Sequence, residues 1–171
     1  MLVSVLFRSG FDPTTSHSLT QLAAVAAART AEQLVGVTPE LKWPNDLLLN
    51  SCKLAGILAQ SATTGSDRYV VVGMGLNLGW APDGAAKLDG VTPQAFLPVW
   101  LAEIAALMEI DCFDEYRHRL STLGQIVRVE LASGPIEGYA VDVQRDGSLL
   151  VRTALEEIAV LTGDVIHLRG R

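Results

Sequence analysis

The sequence predicts an α/β (α+β) fold in which helices flank a mixed β-sheet and a small β-barrel follows. Up to about residue 121, apolar runs of strand length alternate with longer segments of helical periodicity. From residue 122 onward the pattern changes to short alternating strands, with turn signals at Ser133-Gly134-Pro135 and Asp146-Gly147. We therefore expect two domains, one spanning residues 1–121 and the other residues 122–171.

The elements follow in chain order from their apolar patterns and end signals. The first helix begins at a capping-box sequence, Ser18-Leu19-Thr20-Gln21, and ends at Gly36. The second is capped by Thr92 and has Pro93 at its first position. The predicted helices span residues 19–34, 93–108 and 112–120. The predicted strands span residues 2–7, 47–49, 53–60, 69–74, 126–131, 136–143, 148–153, 158–160 and 165–168, with residues 61–68 as a polar loop.

The charge and cysteine content argue against several classes of function. A net charge of −6 and the lack of any basic run argue against nucleic-acid binding. The two cysteines, Cys52 and Cys112, cannot build a disulfide framework, and neither they nor the histidines show metal-ligand spacing. The first residues do not resemble a signal peptide, and no apolar run is long enough for a membrane span. We therefore expect a cytoplasmic protein with no membrane or nucleic-acid partner and no protein-held metal.

The segment from Leu41 to Gln60 concentrates the polar residues that chemistry needs. Two of the three lysines of the chain, Lys42 and Lys53, fall in it. Asn45-Asp46 favours a tight turn, and Gly56 within a strand indicates a bulge or a ligand against the backbone. We interpret this segment as two adjacent strands that carry one lysine each, with an acid between them.

A second glycine-rich stretch, Gly73-Met74-Gly75, ends the strand predicted at residues 69–74. Glycines at alternate positions leave one side of a strand bare, which suits a flat ligand pressed against the backbone. No GxGxxG sequence leads into a helix, so the sequence lacks a Rossmann fingerprint.

Three motifs in succession, KWPND at residues 42–46, KLAGIL at 53–58 and VVVGMGLN at 70–77, resemble the central part of biotin protein ligases. The resemblance runs along the whole chain and implies that the terminal barrel is of the SH3-like kind. It implies a biotin–[acetyl-CoA-carboxylase] ligase, which activates biotin with ATP to biotinyl-5'-adenylate and transfers the biotinyl group to a lysine of a carboxylase carrier domain. ATP, Mg²⁺ and biotin are then the cofactors and substrate, and the biotin carboxyl carrier protein is the partner. Whether the chain forms a homodimer stays open.

The resemblance also implies roles for individual residues. Lys53 matches the family's contact to the biotin carboxylate, and Asp46 matches the residue that orients the ribose and the attacking lysine. A carboxylate and a phosphate repel each other at a partly dry site, so cations must be placed there in advance. Lys53 and Asp46 are the implied catalytic residues. The implied biotin-binding residues are Lys53, Gly56, Ile57, Gly73 and Gly75, and the implied ATP- and adenylate-binding residues are Lys42, Asn45, Asp46, Asn77 and Arg169.

Structural roles compete with these assignments. Lys53 also fits a solvated lysine after a turn, and Arg169 fits an exposed residue near the terminus. Asn45 and Asn77 also fit plain turn residues. Trp43 fits a packing wall as well as a stacking platform.

The resemblance is incomplete at the amino end. The family's Ser-Thr step and Gly-Arg-Gly-Arg loop have no counterpart here, and Gln60 stands where the family has an acid. We expect the natural protein to begin upstream, so that this chain is a shortened catalytic domain. The alternatives are an inactive remnant that serves only as a binding or dimerisation module, and a related lipoate or octanoate transferase.

Overall fold

The structure, a computed structural model, describes residues 1–8, 16–64 and 67–168. The first set of elements is β1 (Leu2–Arg8), α1 (Ser16–Val35), β2 (Glu40–Lys42), β3 (Asp46–Leu49), β4 (Cys52–Thr64), β5 (Asp67–Leu76), α2 (Pro93–Leu107) and α3 (Phe113–Arg119). The second set is β6 (Ile126–Glu130), β7 (Ile136–Val143), β8 (Leu149–Arg152), β9 (Glu157–Val160) and β10 (Asp164–His167). Two sheets with helices against the first confirm the predicted α/β (α+β) class.

The first sheet has the strand order β1-β5-β4-β3-β2, and every neighbouring pair in it is antiparallel. The predicted mixed sheet is therefore wrong for the strands that the structure describes. The connections explain the difference, because β2 to β5 follow one another through short turns and such turns join antiparallel neighbours. The first strand, β1, pairs with the other edge of β5, from Leu2 opposite Gly75 to Arg8 opposite Tyr69.

The hairpin of β4 and β5 is longer than the sequence predicts. Most of the predicted loop at residues 61–68 is strand, paired from Ser61 opposite Val70 to Thr64 opposite Asp67. Residues 61–63 are exposed, so this end of the hairpin extends beyond the core. Its polar residues carry no hydrophobic alternation, and that is why the pattern missed it.

The helix α1 lies between the first sheet and α2. Its residues 21–28 are all buried, as expected for a helix covered on more than one side. The indole N–H of Trp100, in α2, donates to the carbonyl of Ala23 at 3.1 Å. The small side chains of α1 permit this close approach. The predicted Thr92 cap of α2 is also confirmed, because the hydroxyl accepts from the N–H of Ala95.

The second sheet has the order β10-β6-β7-β8-β9 and is antiparallel throughout. Its outer strands, β9 and β10, do not pair with each other in the described part of the chain. The predicted closed barrel is thus wrong in its closure, although the small all-β unit is as predicted. Each of these two outer strands is four residues long. No helix of the described ranges is long and apolar enough to cross a membrane.

The two sheets share one continuous apolar core, which includes Leu41, Trp43 and Leu120 as well as Val127 and Val165. The predicted domain boundary, between residues 121 and 122, falls between α3 and β6. We keep it as a proposal.

Charged residues tie the three helices together at the surface. Arg29 of α1 pairs with Glu103 of α2 and Glu115 of α3. Arg119 of α3 pairs with Glu32 at 2.7 Å and with Glu115 at 2.9 Å. The hydrogen bond from Arg29 lowers the pKa of Glu115 below its ordinary value, and Arg119 adds to the effect. Glu115 is therefore the shared acceptor of this network.

We expect Glu115→Gln to lower the free energy of unfolding at neutral pH by about 1 kcal/mol, because partly exposed ion pairs are screened and contribute modestly. The folded pKa of Glu115 is depressed. Its stabilising effect is therefore present above the unfolded pKa and is lost as the pH falls through the folded pKa. Urea unfolding at a series of pH values measures the difference.

The control is Glu109→Gln, which changes an exposed acid that has no ion pair within the described ranges. A difference between wild type and Glu115→Gln that stays constant down to strongly acidic pH would contradict the ionic origin.

Candidate functional site

One row of residues crosses the whole first sheet on a single face. Lys42 of β2 lies opposite Asp46 of β3, which lies opposite Gly56 of β4. Gly56 lies opposite Gly75 of β5, and Gly75 lies opposite Leu2 of β1. Directly opposed residues of antiparallel strands share a face, so charged groups and bare backbone stand side by side. The lysines sit on β2 and β4, with β3 between them, which corrects the predicted pair of adjacent strands.

Lys53 reaches Asp46 because β3 and β4 lose one step of register. Between Leu47 and Leu48 the pairing shifts, so that Leu47 faces Ala55 whereas Leu48 faces Lys53. The extra residue on β4, Leu54, is fully buried. The bulge that Gly56 suggested therefore lies two residues before it. A bulge re-aims nearby side chains, and here Lys53 points along the sheet toward Asp46.

The ammonium of Lys53 lies 2.6 Å from Asp46 Oδ1, and the lysine side chain is 58% exposed whereas that of Asp46 is 17% exposed. This contact is a close ion pair without hydrogen-bond alignment. Asp46 Oδ1 is a buried oxygen that accepts no hydrogen bond from the described residues. The carboxylate thus keeps an acceptor position for a donor brought by a ligand.

The glycines line an open cleft of about 490 Å³ beside this pair. A Cβ added at Gly56 would meet Lys53 Cε at 3.4 Å and Asp46 Oδ1 at 3.5 Å. A Cβ at Gly75 would meet Leu2 at 3.4 Å. Leu58, which is exposed, lies opposite Gly73 and supplies an apolar wall. The cleft has a bare backbone floor and apolar sides, and the ion pair lies next to it at Gly56, which suits a small amphipathic acid.

The structure gives two of the predicted contacts a backbone role. Ile57 is buried, and its N–H donates to the carbonyl of Asn45 at 2.8 Å, which fixes Asn45 at the edge of the cleft. The amide nitrogen of Asn77 donates to the carbonyls of Ala86 at 2.8 Å and Lys53 at 3.4 Å. Asn77 therefore holds the loop after β5 against the backbone of Lys53.

A second groove adjoins the ion pair on the other side. Lys42, Asp46 and Lys53 line it from the first sheet, and Asp164 and His167 line it from β10. Burial lowers the pKa of His167, and the positive charge of Lys42 lowers it further, against a weaker opposite effect of Glu40.

No motif in the sequence could have placed His167 beside Lys42. Arg169, the remaining predicted contact, lies outside the described residues. Within the described ranges, no three His, Cys, Asp or Glu side chains come together to hold a metal.

We expect Lys53→Ala to change the free energy of unfolding by less than about 1 kcal/mol, since an ion pair of a half-exposed lysine contributes little to stability. Urea unfolding of the variant, compared with Lys87→Ala, measures this. Lys87 pairs with Asp89 at 3.0 Å, also at the surface. A much larger loss in Lys53→Ala than in Lys87→Ala would show that the lysine is a structural residue.

Comparisons with known proteins agree with this architecture. Residues 1–77 match the Biotin/lipoate A/B protein ligase family, and residues 122–168 match the Biotin protein ligase C terminal domain. A biotin–[acetyl-CoA-carboxylase] ligase of Mycobacterium tuberculosis is 35% identical over 170 residues, which cover 88% of this chain and 62% of that protein. A ligase of the same name from Paracoccus denitrificans is 52% identical over 54 residues, 31% of this chain and 22% of that protein. This chain thus spans less than two thirds of the length of either relative.

A solved structure has a similar fold. The biotin protein ligase of Aquifex aeolicus in complex with biotin and ATP aligns with a TM-score of 0.74 at 18% identity, over 99% of this chain and 79% of that one. At that identity the likeness concerns the fold alone. With the two family matches at its two ends and a relative aligned along most of its length, the predicted resemblance to biotin protein ligases is confirmed.

Proposed function

We propose that this chain is the catalytic part of a biotin protein ligase, in which biotin lies on the glycine floor of the cleft with its carboxylate toward Lys53. The observation that carries the proposal is the ion pair of Lys53 and Asp46 beside that cleft, in which the lysine is more than half exposed and the aspartate is mostly buried. Biotin has a flat polar ring system, an apolar chain and one carboxylate. That distribution matches a bare floor, apolar walls and a cation.

The proposed first step forms biotinyl-5'-adenylate. A carboxylate oxygen of biotin attacks the α-phosphorus of ATP, a new C–O–P linkage forms, and the bond to the β-phosphate breaks with release of pyrophosphate. Lys53 offsets the repulsion between the two anions and stabilises charge on the bridging oxygen. Lys42, across β3 from Lys53, and His167 line the second groove next to the ion pair, and we assign this groove to the nucleotide. We assign the adenylate contacts to Lys42, Asn45, Asp46 and Asn77, with Arg169 as a proposed phosphate contact.

The proposed second step transfers the biotinyl group to a lysine of a carboxylase carrier domain. The amine attacks the acyl carbon, and the bond to AMP breaks. We assign to Asp46 the acceptance of a hydrogen bond from the ribose or from the incoming amine, once the Lys53 ammonium has turned from it toward the ligand. Mg²⁺ arrives with ATP and is held by phosphate and water. The proposed setting is the cytoplasm, where carboxylases and ATP are available.

The test of binding is calorimetric titration with biotin, with and without Mg-ATP. Lys53→Ala should weaken biotin binding by about tenfold or more, because a charge-assisted hydrogen bond to a carboxylate is removed. Lys87→Ala is the matched control, a half-exposed lysine at the surface that should bind as the wild type does. Equal binding by both variants would rule out the assigned role of Lys53, and no binding by the folded wild type would rule out a working site in this chain.

The test of specificity is mass spectrometry of a carrier domain after incubation with the chain, Mg-ATP and either biotin or lipoate. We expect the mass increase of a biotinyl group on one lysine, and none from lipoate, because the relative that aligns along most of the chain is a biotin ligase and the carboxyl-terminal match is to a biotin ligase domain. A lipoyl adduct alone would favour the transferase alternative.

A second candidate function, self-association, rests on the outer edge of β1. That strand is at the edge of the first sheet, and Leu2, Leu6 and Leu58 are exposed on the adjoining face. An edge strand next to exposed apolar side chains is a site for pairing with another chain. Light scattering as a function of concentration, for the wild type and Leu6→Lys, distinguishes a specific dimer from a monomer.

A further inference from the structure

Trp43 connects the turn that carries Asp46 to residues of the second sheet and of the segment before it. Its side chain is buried, and its indole N–H donates to the carbonyl of Gly147 at 2.8 Å, in the turn between β7 and β8. Its backbone N–H donates to the hydroxyl of Thr122 at 3.0 Å, just before β6. Both of its hydrogen-bond donors are thus held by residues more than 75 positions away in the chain. Trp43 itself lies three residues before Asp46.

The carbonyl of Gly147 is a fixed acceptor. The N–H of Gly147 donates to the carbonyl of Gln144 at 2.9 Å, which closes the turn. The N–H of Ser148 donates to Asp146 Oδ1, and its hydroxyl contacts both Asp146 Oδ1 and Gln144 Oε1. Gly147 has a φ of +84°, and a Cβ there would meet the ring of His17 at 2.9 Å. A side chain at this position would be strained and would displace His17, and the hydrogen bonds within the turn hold the carbonyl that Trp43 contacts.

Thr122 is fully buried, and its hydroxyl lies between two groups. It accepts the N–H of Trp43, and its oxygen is 3.4 Å from His167 Nε2. A hydroxyl has one proton to donate, and among the described residues His167 Nε2 is its acceptor when that ring is neutral with its proton on Nδ1. Burial and the charge of Lys42 lower the pKa of His167, in keeping with the neutral ring. The hydroxyl thus joins β10 to the backbone of Trp43.

The other end of the same turn is held by β4. The carbonyl of Asn45 accepts the N–H of Ile57 at 2.8 Å, and Asp46 is paired with Lys53. The four residues from Trp43 to Asp46 are therefore fixed by the second sheet at one end and by the cleft at the other. A shift at the Trp43 end has to move Asn45 and Asp46, because only Pro44 lies between Trp43 and Asn45.

We propose that Thr122 is a positioning residue: its hydroxyl, together with the carbonyl of Gly147, sets the place at which the turn presents Asp46 to Lys53. The second sheet then takes part in the chemistry without touching the reacting atoms. The expected effect on transfer kinetics rests on the proposed function. The expected effect on the turn rests on the structure alone. Burying a threonine hydroxyl and a tryptophan N–H is costly unless both form hydrogen bonds, and here those bonds hold the turn that carries Asp46.

The experiment compares Thr122→Val, which keeps the shape and removes the hydroxyl, with Thr122→Ser, which restores it. The control is Thr30→Val, since Thr30 is equally buried and its hydroxyl donates to Ala26 within α1. Amide hydrogen exchange by NMR reports the turn through Ile57 N–H, which bonds Asn45, and through the indole N–H of Trp43. Biotin transfer to a carrier domain gives kcat and the KM for biotin.

We expect Thr122→Val to speed exchange of Ile57 N–H by about tenfold or more, with α2 amides unchanged, and to lower kcat by about tenfold or more with the KM for biotin changed less than about threefold. We expect kcat to fall more than the KM for biotin changes because Asp46 acts on the ribose and the amine, whereas the cleft that holds biotin is left intact. Thr122→Ser should recover most of both quantities, and Thr30→Val should change neither.

Two results would overturn the inference. One is an unchanged exchange rate of Ile57 N–H in Thr122→Val. The other is a rise in exchange rate spread evenly over the amides of the first sheet, which would mark a merely structural threonine. If Thr122→Val fails to fold, Trp43→Phe takes its place: it removes the indole donor to Gly147 together with part of the buried ring, and the same local rise in Ile57 exchange is expected. If the wild type neither binds biotin nor transfers it, the proposed function fails, and the exchange measurements still decide whether Thr122 positions the turn.

Discussion

The burial of Trp43 is the constraint on which the site depends. A tryptophan placed in the core between two sheets brings two N–H groups with it, and each needs an acceptor once water is gone. Only the Thr122 hydroxyl and the Gly147 carbonyl serve them in the described structure. Burial of the apolar Trp43 ring thus sets the distance between the two sheets, and its two hydrogen bonds set their relative orientation. The charged residues of the site begin three positions further along the chain.

The electrostatics of the site follow from an uneven pair. Asp46 is mostly buried and cannot move away, whereas Lys53 is more than half exposed and carries its charge on a flexible stem. Burying both charges would cost desolvation energy that a single contact does not return. Leaving the lysine in water avoids that cost and keeps its ammonium ready to turn from the acid toward an incoming carboxylate. The fixed acid then serves as the reference point around which the cation moves.

The sequence predicted those parts of the protein whose signals are local. The Thr92 cap and the hairpin signal at Asp146-Gly147 each depend on a few neighbouring residues, and the corresponding elements form as expected. The helix α1 also forms, but it begins at Ser16, so the predicted capping box at Ser18 lies inside the helix and is wrong as its start. The motif at residues 42–46 likewise brought out Asp46. What the pattern missed depends on distant partners. The position of β3 between the two lysine strands and the register shift at Leu47 arise from sheet pairing, which periodicity does not encode.

Contacts between the sheets were out of reach for the same reason. Thr122 looked like a boundary residue because its partner, Trp43, is 79 positions away. His167 had no neighbour in sequence that suggested a charged environment, and Lys42 reaches it only because β10 folds against the first sheet. Asn77 was predicted to be a ligand contact, and its amide nitrogen instead bonds two carbonyls of its own chain. A polar residue near a motif can thus serve the backbone that carries the motif.

The glycine floor and the ion pair form one geometric unit rather than two features that happen to be adjacent. Gly56 faces Asp46 on one side and Gly75 on the other, so the same position is next to the charge and part of the floor. A methyl group there would stand 3.4 Å from the stem of Lys53 and 3.5 Å from Asp46 Oδ1, in van der Waals contact with both, and would cover that part of the floor. The bare backbone therefore does two things at once. It leaves room for a flat ligand, and it lets the lysine lie along the sheet with its ammonium against the acid at the end of the ligand's path.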